Sequence, residues 1–232
     1  MNHPKTAIVC TGGGLADHRV VVPDHDLVIA ADSGLHVAQA LNLRVDLLVG
    51  DLDSVSPEAI ADTPIERHPV DKDATDLELA IDAAVRRGAS HIVVIGGSGA
   101  PASGGDGRLD HLLGELLLLA APRKATIEAW LGPAWFGVLH GPGSLTIDGE
   151  AGETVTLVPM HGPARAITTR GLRFPLRGES LAPGTTRGLS NERLDGPASV
   201  TVATGTLLVI RPFAVIHQPP SPGPPNPPRS TQ

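Results

Sequence analysis

Up to about residue 122, short apolar runs alternate with stretches of helical periodicity, and this alternation constrains the fold more than any other feature of the chain. The runs are Thr6 to Cys10, Leu27 to Ala31, Asp46 to Val49, Ile65 to His68 and His91 to Ile95. Strands separated by helices need crossover connections, so these runs read as a parallel sheet. The clearest helix runs from about Thr75 to Arg87, with Leu77, Ala80, Ile81, Ala84 and Val85 on one face. Thr75 and Glu78 have capping-box spacing, and Gly88 follows as a stop. A second helix, Leu112 to Ala121, is apolar nearly all round and is expected to be buried.

From about Ala125 the helical period disappears. Short strand-like runs separated by Gly and Pro take over: Thr126 to Trp130, Phe136 to His140, Ser144 to Ile147, Thr154 to Pro159, Ala164 to Thr169, Ser199 to Ala203 and Leu207 to Arg211. This spacing predicts an antiparallel sandwich or barrel. The expected organisation is an α/β unit over residues 1–124, a β-sandwich over 125–213 and a proline-rich tail over 214–232 that has little to pack.

Composition narrows the partners. A formal net charge of -7 with no Lys/Arg run argues against nucleic acid, and an aromatic content of 2% argues against base-stacking platforms. No window approaches the ~20 apolar residues that span a bilayer. With Cys10 as the single cysteine, neither an intrachain disulfide nor a cysteine metal cluster can form, and a reducing, cytoplasmic setting is expected.

Acidic residues recur just after the expected strands: Asp32, then Asp51 and Asp53, then Asp76, then Asp110. Strand ends of an open parallel sheet share one edge, where ligands bind. Asp51 and Asp53, two residues apart on a turn, are close enough to share one hard cation through oxygen. Each acid also has a local explanation. Asp is common in turns, Asp76 suits a first helical turn, and Asp32 suits a helix cap. Arg108 offers a fork for phosphate oxygens, and it could equally pair with Asp110 at the surface. Lys72 is either a phosphate contact or a solvated charge. The chain has no Gly-x-x-x-x-Gly-Lys-Ser/Thr loop, no complete dinucleotide fingerprint after Thr11-Gly12-Gly13-Gly14, no His-Glu-x-x-His and no Gly-x-Ser-x-Gly. A carboxylate-rich, magnesium-type site aimed at phosphate remains.

These runs resemble the thiamine pyrophosphokinases over about residues 25 to 211. The matching pieces are Ala-Ala-Asp-Ser-Gly at Ala30 to Gly34, Gly-Asp-Leu-Asp-Ser at Gly50 to Ser54, Asp71 to Ala80, and Gly-Arg-Leu-Asp-His at Gly107 to His111. Gly171 to Leu176 and Ser190-Asn191-Glu192 follow in the second half. The resemblance implies an α/β domain followed by a β-sandwich, and transfer of pyrophosphate from ATP to thiamine with release of AMP. It also implies a homodimer whose sites lie between the α/β half of one subunit and the sandwich of the other. In that scheme Asp51, Asp53 and Asp76 hold Mg²⁺, while Lys72, Thr75, Arg108 and Asp110 line the ATP phosphates. Asp32 shapes the nucleotide pocket, and Ser190, Asn191 and Phe174 face thiamine. The segment Ser98 to Asp106 departs from the family pattern by its length. A pyrophosphokinase acting on a hydroxymethyl-pterin and a non-catalytic nucleotide- or thiamine-binding module are the alternative readings.

Overall fold

The computed structural model describes residues 5–13, 20–53, 55–56, 60, 63–96 and 108–214. The 98–106 segment, the tail beyond residue 214, Gly14, Ser54 and Gly107 lie outside the described residues.

The expected strand runs become parallel strands β1 (Thr6–Cys10), β2 (Leu27–Ala31), β3 (Leu47–Gly50), β4 (Ile65–Arg67) and β5 (His91–Gly96). They lie in the order β4-β3-β2-β1-β5. Apart from edge strand β4, which is largely exposed, the near-continuous apolar strands are buried on both faces, as parallel sheets require. Ala7, Val9, Ile29, Val49, Ile92 and Val94 face a core shared with helix α2 (Asp76–Arg86), and the alternate residues Ile8, Cys10, Val28, Val93 and Ile95 face helix α1 (Gly34–Ala40). The Thr75 hydroxyl accepts from the Glu78 amide at 3.2 Å, and Gly88 adopts φ 86° past the helix end, so both expected boundary signals act in α2. Burial pushes the Cys10 thiol up to about 12, which makes it a packing residue.

Helix α3 (Leu109–Leu119) is where expectation and structure part. Leu119 is fully buried and Leu112, Leu116 and Leu118 pack on the α2 core, yet Leu109, Leu113 and Leu117 are 75%, 59% and 44% exposed. They recur every fourth residue, so one apolar stripe of the helix is uncovered in the single chain.

Strand β6 (Thr126–Leu131) was grouped by pattern with the antiparallel run, but it pairs parallel to β5 and extends the first sheet. A hairpin then leads to β7 (Ala134–His140), followed in space by β13 (Thr204–Arg211) and β9 (Thr154–Arg170). The runs read as two strands around Pro159 and Pro163 are one long strand. His161, Gly162 and Ala166 take positive φ there, and these irregularities bend β9 from the first sheet into a second one. The second sheet contains β10 (Arg177–Leu181), β12 (Ser199–Val202) and β8 (Gly143–Thr146), while β11 (Asn191–Glu192) pairs with the start of β9. Between the two sheets Leu139, Ile147, Leu157, Ile167, Val200 and Leu207 form the sandwich core.

Candidate active site

All the strands from β1 to β6 run parallel, so their C-terminal ends form one edge. β2 lies on one side of β1 and β5 on the other, which places a crevice at the point where the connections diverge. The floor is close-packed. A Cβ on Gly12 would run into the Ser33 hydroxyl, one on Gly34 into the Cys10 carbonyl, and one on Gly96 into Thr11.

Asp32 follows β2 with φ 44°, an unusual conformation for a residue other than glycine. Its side chain does not cap α1. The cap position is Ser33, which makes no side-chain cap bond, and Asp32 Oδ1 is buried with no hydrogen-bond partner among the described residues. Asp51 and Asp53 follow β3, and the Asp53 amide donates to Asp51 Oδ1 at 3.3 Å. Asp32, Asp51 and Asp53 each bring a carboxylate oxygen within 4.8 Å of the others. Asp76 stands beside this set. A Cβ on Gly50 would lie 3.1 Å from Asp76 Oδ1 and 3.3 Å from Asp32 Cβ, so only a glycine keeps the two acids this close to the β3 backbone.

Lys72 bridges the cluster, with Nζ 2.9 Å from Asp51 Oδ2 and 3.2 Å from Asp76 Oδ1. Its hydrogen bond holds the Asp51 carboxyl below the usual range, and the same pairing raises the Lys72 ammonium. Asp76 goes the other way. Burial raises its carboxyl despite Lys72, and the charges of Asp51 and Asp32 add to the rise. A set of hard oxygen donors, with Asp32 Oδ1 orphaned, Asp76 Oδ1 held only by its ion pair with Lys72 and a single ammonium between four acids, suits a small divalent cation such as Mg²⁺.

Arg108 and Asp110 bind each other instead. Arg108 Nε meets Asp110 Oδ1 at 2.9 Å and Nη2 meets Oδ2 at 2.6 Å, with both side chains exposed at the start of α3. That fork holds the Asp110 carboxyl well below its usual range. Among the described residues no hydrogen bond or ion pair joins Arg108 or Asp110 to the aspartate cluster. Thr75 caps α2 immediately before Asp76.

In the second half Phe174, Ser190 and Asn191 meet at a cavity of about 420 Å³, together with Thr185, Thr186, Arg187 and Leu189. Asn191 works from behind the wall. It is 8% exposed, its Oδ1 accepts from the Phe174 and Glu192 amides at 3.0 and 2.9 Å, and its Nδ2 donates to the Phe174 carbonyl at 2.8 Å. Phe174 itself is 61% exposed and offers its ring, with the Arg173 guanidinium 5.6 Å from the centroid. Ser190 has φ 53° and is fixed by its amide to the Thr156 hydroxyl at 3.0 Å. Sequence reasoning missed Thr185, Thr186, Arg187 and Leu189. Their signal was proximity in the chain, since they lead directly into Ser190-Asn191.

The cavity and the aspartates lie at the same edge of one sheet and far apart along it. Leu131 pairs with Ala134, Trp135 with Arg211, Ile210 with Thr156 and Val155 with Asn191, so the strand ends follow one another along that edge. Six inter-strand spacings separate β2 from β9, roughly 30 Å along the sheet.

Known proteins fit this division of the chain. Residues 19–131 match the family model described as thiamin pyrophosphokinase, catalytic domain, and residues 144–209 match that of the thiamin pyrophosphokinase vitamin B1 binding domain. The chain is 26% identical over 217 residues to the thiamine pyrophosphokinase of Bacillus subtilis, covering 89% of this chain and 98% of that protein. The crystal structure of the Bacillus subtilis thiamine pyrophosphokinase superposes with a TM-score of 0.74 at 23% identity, covering 92% of this chain and all of that one. A thiamin pyrophosphokinase family protein from Enterococcus faecalis superposes with a TM-score of 0.71 at 28% identity, covering 89% and 98%. With both family models matched in order over an α/β half and a β-sandwich half, the chain belongs to the thiamine pyrophosphokinase family.

Proposed function

We propose that the protein transfers the terminal pyrophosphate of ATP to the hydroxyl of thiamine, and that it works as a homodimer with two shared sites in the cytoplasm. The hydroxyl oxygen bonds to the β-phosphorus, the bond from that phosphorus to the α-phosphate bridging oxygen breaks, the hydroxyl proton is lost and AMP leaves. Asp32, Asp51 and Asp53 would hold Mg²⁺, with Asp76 adjoining them, a reading supported by the closeness of their carboxylates. Such an ion, when bound, would supply charge neutralisation to the pyrophosphoryl group. Lys72 keeps Asp51 ionised and orients it with Asp76. Phe174 and Leu189 offer thiamine an apolar wall, and Ser190 offers a hydroxyl.

The observation that carries this reading is that the two half-sites of one chain stand six inter-strand spacings apart, roughly 30 Å when followed along the sheet. A path of that length is longer than one substrate, and a second copy related by two-fold symmetry would bring its cavity to the first copy's aspartates. Incubation with ATP, Mg²⁺ and thiamine should release AMP. Asp51→Asn and Asn191→Ala should each be nearly inactive alone. After joint unfolding and refolding in equal amounts, roughly half the dimers are mixed and each has one intact site, so about a quarter of wild-type activity should return. No AMP from the wild type would reject the activity. No recovery despite demonstrated subunit exchange would reject the shared site.

A further inference from the structure

We propose that Arg187 is the cation that the sandwich half brings to the pyrophosphoryl group, making the cavity selective for the phosphorylated product over its unphosphorylated precursor. The inference rests on the shared-site reading above and concerns a residue that reading does not use.

The cavity lining has an uneven polar character. Asn191 spends its amide on the Phe174 and Glu192 backbone, so the side chains left to meet a ligand are the hydroxyls of Thr185, Thr186 and Ser190 and the guanidinium of Arg187. Among the described residues no carboxylate lines the cavity. Glu179, on β10, stands next to it as the partner of Arg187: Nε and Nη2 donate to the same Oε2 at 3.0 and 2.7 Å. Both bonds use one edge of the guanidinium, and Nη1 makes no hydrogen bond among the described residues. The Arg187 amide donates to Thr185 Oγ1 at 3.3 Å, which ties the arginine to the loop that carries the hydroxyls.

The charges explain why such a pair belongs beside this ligand. Thiamine carries a cationic ring, so an isolated arginine at its cavity would repel it, and Glu179 cancels that repulsion while thiamine is bound. Once the pyrophosphoryl group arrives the need reverses. The opposite half supplies four carboxylates, Asp32, Asp51, Asp53 and Asp76. Of the basic residues proposed for it, Lys72 is committed to two of those acids and Arg108 to Asp110. Arg187 can change partner at little cost. Its side chain and that of Glu179 are 56% and 39% exposed, and an ion pair that open to water is weak. A planar fork against phosphate oxygens forms stronger, two-pronged bonds.

The test is calorimetric titration of thiamine and of thiamine diphosphate, each with Mg²⁺, into the wild type, Arg187→Gln, Arg187→Lys and Glu179→Gln, with circular dichroism to verify folding. Arg187→Gln should bind thiamine within about twofold of wild type and bind thiamine diphosphate at least about tenfold more weakly, the loss expected for charged hydrogen bonds. Arg187→Lys should recover part of that loss. Glu179→Gln should weaken thiamine and spare the diphosphate, because it leaves the arginine's charge uncancelled. Equal weakening of both ligands by Arg187→Gln would mean that Arg187 only shapes the cavity, and no change in either would mean that it is a bystander; each overturns the proposal. A wild type that binds neither ligand overturns the thiamine reading itself, which separates that failure from the first two.

Discussion

Glu115 offers the sharpest test of how α3 is packed. It sits on the helix between Leu112 and Leu119, its Oε2 is buried without a hydrogen-bond partner among the described residues, and burial pushes its carboxyl from 4.5 up to about 7. A raised acid means that the folded state holds the proton more tightly than the unfolded chain does. Stability from this group is therefore whole below pH 4.5, falls as pH rises through the interval and is fully lost above about 7. The interval corresponds to about 3 kcal/mol at most. Glu115→Gln keeps the shape and removes the titration. Urea denaturation of both proteins at pH 5 and pH 8 should show the variant gaining up to about 3 kcal/mol on the wild type as pH rises, since other titrating groups cancel in the difference. A difference independent of pH would refute the burial of this carboxylate.

Three further outcomes follow from the geometry. Asp53→Asn should remove nearly all AMP formation while circular dichroism stays unchanged, because an amide keeps the shape and loses the charge that holds a divalent cation; near wild-type turnover would sink the metal assignment. Gly34→Ala should lower stability by about 1–3 kcal/mol, since the added methyl meets a backbone carbonyl that cannot rotate away, whereas Gly114→Ala in α3 has open space around its Cβ and should raise it by up to about 1 kcal/mol; thermal melts that rank the two in the opposite order would contradict the packing. Asn191→Ala removes three hydrogen bonds at a buried position and should cost roughly 2–4 kcal/mol and loosen Phe174; an unchanged melting temperature would refute its pinning role.

The α/β half was legible because its inner strands β1, β2, β3 and β5 are short and buried on both faces, so that they appear as near-continuous aliphatic runs flanked by turn residues, and because Thr75, Glu78 and Gly88 announce α2 by local chemistry alone. Long β9 was not legible. Pro159 and Gly162-Pro163 are usual signs of a break, and a strand that bends between sheets uses the same residues to turn without ending. The exposed leucines of α3 escaped because apolar composition reports what a helix could bury and not what lies against it. At the site, the strand-end acids were readable as one edge. The grouping of Asp32 with Asp51 and Asp53 was not, because it depends on the positive φ of Asp32 and on the missing side chain of Gly50. Asn191 was visible as a motif residue, but its turn away from the cavity toward the Phe174 backbone is a tertiary fact.

Strands β7 and β13 have a consequence for how the molecule comes apart. Along β13, Leu207 and Val209 enter the sandwich core while Leu208 packs in the core under α2 and α3, and along β7 Leu139 and Phe136 divide in the same way. Each core thus uses the other's wall, and neither half can melt without stripping apolar surface from both. Heat or denaturant should therefore meet one cooperative unit in which the aspartate edge and the sandwich cavity are lost together, so a severed first half would lack the β7 and β13 side of its own interior.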